Sequence, residues 1–254
     1  MGARRDVDPV HPGTIDIPDP MADYLASPVA GYVSPDAVFL LTGRSEIAVN
    51  GEMTRIAIVD YGLGNLRSVL RGLEKAGAAP VITSDAGEIA SADGIVLPGV
   101  GAFRKGMDQL GDLRDTVVES SVNVPVLGIC LGMQMLMEFS EEHGLHKGLS
   151  LIPGTVKRFP PKPGYKVPHM GWNQIHLENP VHPLFDGLDD NEFVYFVHSY
   201  FAETDAEYTL TTTDYICRFS STIADGNVYG VQFHPEKSGA TGLHILSNFI
   251  GMCS

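Results

Sequence analysis

The sequence predicts an α/β domain with a mostly parallel central sheet, helices on both faces of that sheet, and a nucleophile elbow. Short apolar runs rich in β-branched residues alternate with stretches of helical spacing. This alternation is typical of parallel sheets, because crossover helices cover both faces and leave the strands apolar throughout. A Gly-x-Cys-x-Gly turn also joins one apolar strand to an apolar helix, as a nucleophile elbow requires.

The individual elements follow from the order of these runs along the chain. Residues 56–59 predict the first strand, and residues 65–76, which end before Gly77, predict the first helix. The next parallel strands are expected at residues 80–83, 94–97 and 124–129. Short alternating segments at residues 192–197, 208–213 and 228–233 predict antiparallel pairing, and residues 243–250 predict a closing helix.

The chain divides into two stretches of different character. Residues 1–52 are rich in proline and lack sustained periodicity, which predicts a poorly ordered N-terminal extension. Its aspartates argue against a targeting peptide. Because Met53 directly precedes the first strand, an upstream start or an artefact of gene annotation is a second interpretation of this stretch. Residues 53–254 show no internal repeat or linker and predict one domain.

Charge and composition narrow the classes of function. A formal net charge of -14 disfavours binding to nucleic acid, and the many acidic residues hint at a surface suited to high salt. No apolar run approaches the roughly 18 residues of a membrane-spanning helix. The 3 cysteines show no CxxC spacing and suggest neither a disulfide framework nor a metal site. We therefore expect a cytoplasmic protein that binds small molecules or another protein, with no membrane and no metal.

Cys130 is the strongest candidate for catalysis. It stands between an apolar strand and an apolar helix, and Gly128 and Gly132 leave room for the sharp turn. The N-terminus of a helix favours a thiolate over a thiol. Cys130 is therefore predicted to be a nucleophile, whereas Cys217 and Cys253 lack this setting and are expected to be small buried hydrophobic residues.

A cysteine nucleophile needs a base, and His234 follows an apolar strand. On an extended segment, His234 and Glu236 would project from the same side. Glu236 could then accept the N–H of the imidazole while the other ring nitrogen faces Cys130. The tetrahedral intermediate also needs backbone donors for its oxyanion. The predicted donors are the amides of Leu131, Val100 and Gly99.

The motifs GICLGMQ at residues 128–134, HPEK at residues 234–237 and PGVG at residues 98–101 resemble the class I glutamine amidotransferases. Three further segments, DYGLGNLRSV, PHMGWN and YFVHSY, look like those of the glutaminase subunits of imidazole glycerol phosphate synthases. The resemblance covers about residues 55–250. DYGLGN alone also matches half of a dinucleotide-binding fingerprint, but the third glycine and the ribose-binding acid are missing.

The resemblance implies a three-layer glutamine amidotransferase domain over residues 53–254 that needs no cofactor. Such a subunit hydrolyses glutamine to glutamate and ammonia, and a separate (β/α)8-barrel cyclase uses the ammonia to make imidazole glycerol phosphate and AICAR in histidine biosynthesis. It also implies that the liganded cyclase stimulates a low intrinsic activity. The implied glutamine-binding residues are Gln134, Gly101, His198, Ser199 and Tyr200, and those implied at the cyclase interface are Asn65, Trp172, Asn173 and Lys237.

Two alternatives stay open on the sequence alone. A glutaminase of the same class that serves anthranilate, pyridoxal phosphate or purine synthesis would differ only in its partner, and Lys237 and the PHMGWN segment favour the histidine pathway over it. A non-catalytic regulatory protein could keep the same fold. The complete set of Cys130, His234 and Glu236 argues against that alternative.

Overall fold

The computed structural model describes residues 53–253, so the predicted extension over residues 1–52 lies outside the described residues. The strands are β1 (Arg55–Val59), β2 (Ala79–Thr83), β3 (Gly94–Gly99), β4 (Val126–Cys130), β5 (Met137–Ser140), β6 (His146–Lys147), β7 (Ile152–Arg158), β8 (His169–Gln174), β9 (His176–Leu177), β10 (Phe193–His198), β11 (Tyr200–Glu203), β12 (Thr209–Asp214), β13 (Arg218–Asp225) and β14 (Val228–Val231). The helices are α1 (Leu66–Lys75), α2 (Ala86–Ala90), α3 (Phe103–Leu110), α4 (Leu113–Ser120), α5 (Leu131–Leu136) and α6 (Gly239–Met252).

The first half of the main sheet is parallel. Its strands lie in the order β2-β1-β3-β4-β14, and each neighbouring pair runs in the same direction. The predicted parallel strands are therefore confirmed, with bounds that differ by one or two residues. Since the carboxyl ends of parallel strands meet at one edge, Gly99 of β3 and Cys130 of β4 lie in register there.

The second half of the main sheet is mostly antiparallel. Strands β13, β11 and β7 continue it beyond β14, and β5 runs parallel to β7. Off this order, β12 pairs with β13 and β9 pairs with β12. Strands β8 and β10 form a separate antiparallel pair, called here the β8–β10 ribbon. The antiparallel pairing predicted from the alternating segments is confirmed, although β14 also pairs in parallel with β4.

Two apolar cores lie on opposite faces of the sheet. Ile56 and Ile58 of β1 join a core with α1 and α6, whereas Ala57 and Val59 join a core with helices α2 to α5. Because both faces are covered, β1 is apolar at every buried position, and each fully buried isoleucine contributes about 1.5–3 kcal/mol. The predicted three-layer architecture is confirmed.

The closing helix α6 begins at Gly239, before the predicted start at residue 243. Its first turn, Gly-Ala-Thr-Gly, offers no large apolar residue to reveal the helical period. Gly242 is needed there because a Cβ would overlap the carbonyl oxygen of Pro235. This close contact of α6 with Pro235 requires a glycine, and because glycine adds no apolar side chain to the pattern, the start of the helix could not be recognised from the sequence. None of the helices between residues 53 and 253 is long and apolar enough to cross a membrane.

Candidate active site

Cys130 occupies a strained turn at the edge of the parallel strands. It ends β4 and immediately precedes α5, with φ 55° and ψ −106°. Such a backbone conformation costs a residue with a side chain about 1–3 kcal/mol. The strain turns the chain sharply, so the thiol lies at the carboxyl end of the strand, where the residue is only 7% exposed. The predicted elbow geometry is therefore present.

His234 and Glu236 meet beside this elbow. His234 Nδ1 lies 2.8 Å from Glu236 Oε1, and the two side chains are only 3% and 1% exposed. The predicted pairing is present, but the extended backbone predicted for it is wrong. Pro235–Lys237 forms a 3₁₀ turn, which Pro235 favours because its ring fixes φ near the helical value. The turn, not strand alternation, brings the carboxylate to the imidazole.

The electrostatic setting keeps a proton on His234. Burial lowers the pKa of the imidazole, but the nearby Cys130 and the hydrogen bond and charge of Glu236 outweigh it and raise the pKa of His234 to about 9. The second ring nitrogen, Nε2, is buried near the thiol without meeting hydrogen-bond geometry to any described residue. A protonated ring at this position can pass its proton to a leaving group.

Gln232 also contacts the sulfur, and sequence analysis missed it. Its Nε2 lies 3.7 Å from Cys130 Sγ, and its Oε1 accepts a hydrogen bond of 3.0 Å from Gln134. Gln232 is fully buried. Its position two residues before His234 is the signal that could have found it, because alternate residues of an extended segment project from one side.

A cavity of about 380 Å³ opens beside Cys130, within the size range of small-molecule sites. A larger groove of about 700 Å³ lies along β11, β12 and β13, but neither Cys130 nor His234 lines it. The cavity beside Cys130 is lined by Val100, Gly101, Cys130, Leu131, Gln134, Glu142, Pro168, Val197, His198, Ser199 and Tyr200.

All five residues predicted to bind glutamine line this cavity, as do two of the three predicted oxyanion donors, Val100 and Leu131. Gly99 is the exception. It ends β3, and a Cβ there would overlap the hydroxyl of Tyr61, so the close packing accounts for this glycine.

Tyr61 holds the strand that leads into the PGVG segment at residues 98–101, called here the Pro-Gly loop, and sequence analysis gave it no separate role. Its hydroxyl donates a hydrogen bond of 2.6 Å to the carbonyl of Pro98. Burial, followed by the nearby Cys130, raises the pKa of Tyr61, which keeps the phenol protonated as a donor. Tyr61 thereby fixes the backbone just before Gly99 and Val100.

Glu142 is a further residue of the cavity that sequence analysis missed. Its Oε2 accepts a hydrogen bond of 2.6 Å from the backbone N–H of Phe103, at the start of α3. It therefore stands where the Pro-Gly loop ends and also lines the cavity. Glu142 belongs to no motif, and only the tertiary fold places it near Cys130.

The residues predicted at the cyclase interface fall into three positions. Trp172 and Lys237 lie at one exposed surface, where the Trp172 ring is 6.1 Å from the ring of Tyr195 and Lys237 Nζ is 5.9 Å from it. Asn65 is exposed just before α1. Asn173 lies on the opposite face of β8 from Trp172, and its side-chain amide is hydrogen-bonded to His169 and to the Asp214 carbonyl of the same chain.

Between residues 53 and 253, no group of three or more His, Cys, Asp or Glu side chains is arranged to hold a metal ion. The groups that meet beside Cys130 are a thiol, an imidazole, a carboxylate and backbone amides, which are the groups that covalent catalysis by cysteine uses. A doubly covered α/β sheet with an elbow cysteine and a buried His–Glu pair is typical of enzymes that act through a cysteine nucleophile and a catalytic triad.

Comparisons with known proteins identify the family. The family model for glutamine amidotransferase class-I matches residues 57–252. The chain is 56% identical over 204 residues to imidazole glycerol phosphate synthase subunit HisH of Methanosarcina mazei, covering 79% of this chain and 100% of that protein. It is 51% identical to the HisH subunit of Natronomonas pharaonis, over 78% of this chain and 94% of that protein. The structure of PurLQS from Thermotoga maritima, at 16% identity, shares the fold with a TM-score of 0.64 over 80% of this chain and 100% of that one.

The chain therefore belongs to the class-I glutamine amidotransferases and, within them, to the family of imidazole glycerol phosphate synthase subunit HisH.

Proposed function

We propose that this protein hydrolyses L-glutamine to glutamate and ammonia through a thioester on Cys130. It supplies the ammonia to a (β/α)8-barrel cyclase subunit that makes imidazole glycerol phosphate and AICAR in histidine biosynthesis. The observation that carries the proposal is the convergence of Cys130, His234 and Glu236 beside a cavity, in a chain of the HisH family. The 3 free cysteines suit the reducing cytoplasm, which is the proposed location.

The first half of the reaction forms the thioester. The Cys130 sulfur attacks the side-chain carbonyl carbon of glutamine, and the electrons of the C=O bond move onto the oxygen. The backbone N–H groups of Leu131 and Val100 donate to this oxyanion, and loss of one such donor costs on the order of 10²- to 10³-fold in rate. His234 gives its proton to the amide nitrogen, the C–N bond breaks, and ammonia leaves.

The second half of the reaction releases glutamate. Water attacks the thioester carbonyl while His234, now neutral, accepts the proton of the water at Nε2. The second tetrahedral intermediate collapses, the C–S bond breaks, and the thiolate and the protonated imidazole are restored. Glu236 accepts the Nδ1–H throughout, which keeps the ring oriented and balances its charge.

Glu142 lines the cavity, and its carboxylate suits the α-ammonium group of glutamine. Replacing Glu142 by Gln is expected to raise the KM for glutamine about tenfold with little change in kcat, because a neutral amide no longer attracts the α-ammonium group. The amide oxygen can still accept from Phe103 N–H, so the loop keeps its support. Steady-state kinetics of the variant measure this effect.

Glu141→Gln is the matched control for Glu142→Gln. Glu141 is the adjacent carboxylate, is exposed, and does not line the cavity. Its KM should stay at the parent value, and equal KM changes in the two variants would exclude a specific role for Glu142.

An exposed apolar surface supports a protein partner. Met170, Trp172 and Phe193 lie on the outer face of the β8–β10 ribbon and are 62%, 48% and 53% exposed. The same ribbon contacts the site directly, because the Tyr195 carbonyl accepts from His234 N–H at 2.9 Å. A partner bound at this surface would therefore lie directly behind the triad.

Ammonia release from glutamine tests the pathway assignment. We expect the purified protein to be slow alone and to be stimulated by the cyclase with its ribonucleotide ligand. Trp172→Ala should keep the basal rate and lose much of the stimulation, because the ring lies on the exposed surface outside the cavity. A rate indifferent to the liganded cyclase would retain the amidase mechanism and point to a different synthase of the same class.

A further inference from the structure

A chain of hydrogen bonds crosses the inner face of the β8–β10 ribbon, the face opposite Trp172, and ends at Tyr200, which lines the cavity. His169 and His198 are paired directly across the two strands, with His169 Nδ1 3.0 Å from His198 Nε2. At one end, Asn173 Nδ2 lies 3.3 Å from His169 Nε2. At the other end, His198 Nδ1 lies 2.8 Å from the carbonyl oxygen of Tyr200. We call these four residues the histidine relay.

The first end of the relay determines the proton positions within it. Asn173 Oδ1 accepts from the Gln174 N–H at 2.8 Å, and Asn173 Nδ2 donates to the Asp214 carbonyl at 3.0 Å, so backbone groups set the orientation of the amide. The amide nitrogen therefore faces His169 as a donor, and His169 Nε2 accepts. His169 must then carry its proton on Nδ1 and donate to His198.

The second end of the relay fits the same arrangement. A carbonyl oxygen can only accept, so His198 Nδ1 carries the proton that is donated to Tyr200. His198 Nε2 then accepts from His169, in agreement with the result from the Asn173 end. Both rings are neutral, and every hydrogen bond points toward the cavity.

The surroundings of the two rings keep them neutral. His169 and His198 are 3% and 5% exposed, and the rings of Tyr215 and Phe196 stack on His169 with centroids 4.0 and 4.8 Å away. Burial lowers the pKa of His169 to about 4. Burial, assisted by His169 and His234 and opposed by the hydrogen bond to Tyr200, lowers the pKa of His198 to about 3. The relay is therefore intact at neutral pH.

We propose that His169 and His198 are positioning residues that hold the Tyr200 carbonyl, and through it Gln134, in place within the glutamine site. The Tyr200 carbonyl also accepts from Gln134 Nε2 at 3.0 Å, so it joins the relay to a side chain that lines the cavity. The inference rests on the proposed function, because it takes this cavity to be the glutamine site. It adds a role for two side chains that the triad mechanism leaves unused.

A pair of conservative variants separates positioning from packing. In His198→Asn, the amide N–H stands near the former Nδ1 and can still donate to Tyr200, whereas His198→Gln retains only a group near the former Nε2. We expect His198→Gln to raise the KM for glutamine roughly tenfold, the value of one hydrogen bond, with kcat close to the parent. His198→Asn should stay within about threefold of the parent KM.

Both variants remove the aromatic ring, so a purely structural role would affect them alike. Equal KM values in the two variants would overturn the relay, while glutamine hydrolysis by the parent would leave the proposed function standing. A parent protein that hydrolyses no glutamine, alone or with the liganded cyclase, would count against the proposed function instead.

Nuclear magnetic resonance of nitrogen-15-labelled histidine tests the relay without any activity. Long-range proton–nitrogen spectra of the full chain, assigned with His169→Gln and His198→Gln, should show both rings neutral with the proton on Nδ1. This state should persist from about pH 5.5 to about pH 8. A proton on Nε2 of either ring, or a protonated ring in this range, would overturn the proposal.

Discussion

Replacing Cys130 by alanine should abolish glutamine hydrolysis, lowering kcat by at least about 10⁴-fold, because no other group of the triad can form the thioester. The variant keeps a Cβ at the strained position, so the elbow should fold as in the parent. In complex with the cyclase, it should still support synthesis from added free ammonia. Paired assays with glutamine and with ammonium as nitrogen sources measure the two activities separately.

Cys217→Ala is the matched control for the nucleophile. Cys217 lies away from the elbow and is partly buried, and burial raises the pKa of its thiol. Its removal should leave both activities at the parent level. A Cys130→Ala protein that hydrolysed glutamine at the parent rate would refute the nucleophile assignment, and loss of the ammonia-dependent activity as well would indicate a failure of folding or of subunit assembly.

The proposed triad could be inferred from the sequence because each of its residues stands in a local pattern. Cys130 stands out by its flanking glycines and by the apolar strand and helix on either side. His234 and Glu236 are near neighbours in the chain, so their pairing needs only one turn of backbone. Even here the pattern implied an extended segment, whereas Pro235 starts a 3₁₀ turn, because strand alternation and a tight turn can both bring these two side chains together.

The remaining contacts of the site could not be predicted, because distant segments of the chain build them. Glu142 reaches the cavity through a loop between β5 and β6, and Tyr61 reaches Pro98 through the pairing of β1 with β3. His169 and His198 meet only when β8 and β10 pair in their observed register. The periodicity of a single strand carries no information about which strand will lie opposite it. The fold class could therefore be predicted from hydrophobic periodicity, whereas these contacts depend on which strands pair in the folded sheet.

The close approach of α5 to β3 explains why the elbow is both recognisable and stable. A Cβ at Gly132 would overlap the carbonyl oxygen of Leu97, and a Cβ at Gly128 would lie 2.7 Å from Gly132 C. Both clashes involve backbone atoms, which cannot rotate away as a flexible side chain can. Close packing around Cys130 therefore requires glycine at positions 128 and 132. The Gly-x-Cys-x-Gly motif thus reflects the contact between α5 and its neighbouring strands.

Gly132→Ala should consequently destabilise the protein by at least about 3 kcal/mol, a large share of the 5–15 kcal/mol typical of a folded domain. Gly251→Ala is the control, because Gly251 also lies in a helix and its added Cβ would lie more than 4 Å from the described residues other than its own helix backbone and chain neighbours. That change should be neutral or stabilising by up to about 1 kcal/mol, as alanine favours helices over glycine. Urea unfolding midpoints of the two variants provide the comparison.

The Gly132 variant also tests whether stability and catalysis share one cause. Leu131, whose N–H is a proposed oxyanion donor, is the residue between Cys130 and Gly132, so any shift of α5 away from β3 moves that donor. A Gly132→Ala protein that remains folded should lose glutamine hydrolysis by on the order of 10²-fold or more, the effect of misplacing one donor. If Gly132→Ala kept both the stability and the turnover of the parent, α5 could move away from β3 without cost. That outcome would contradict the packing explanation for Gly132.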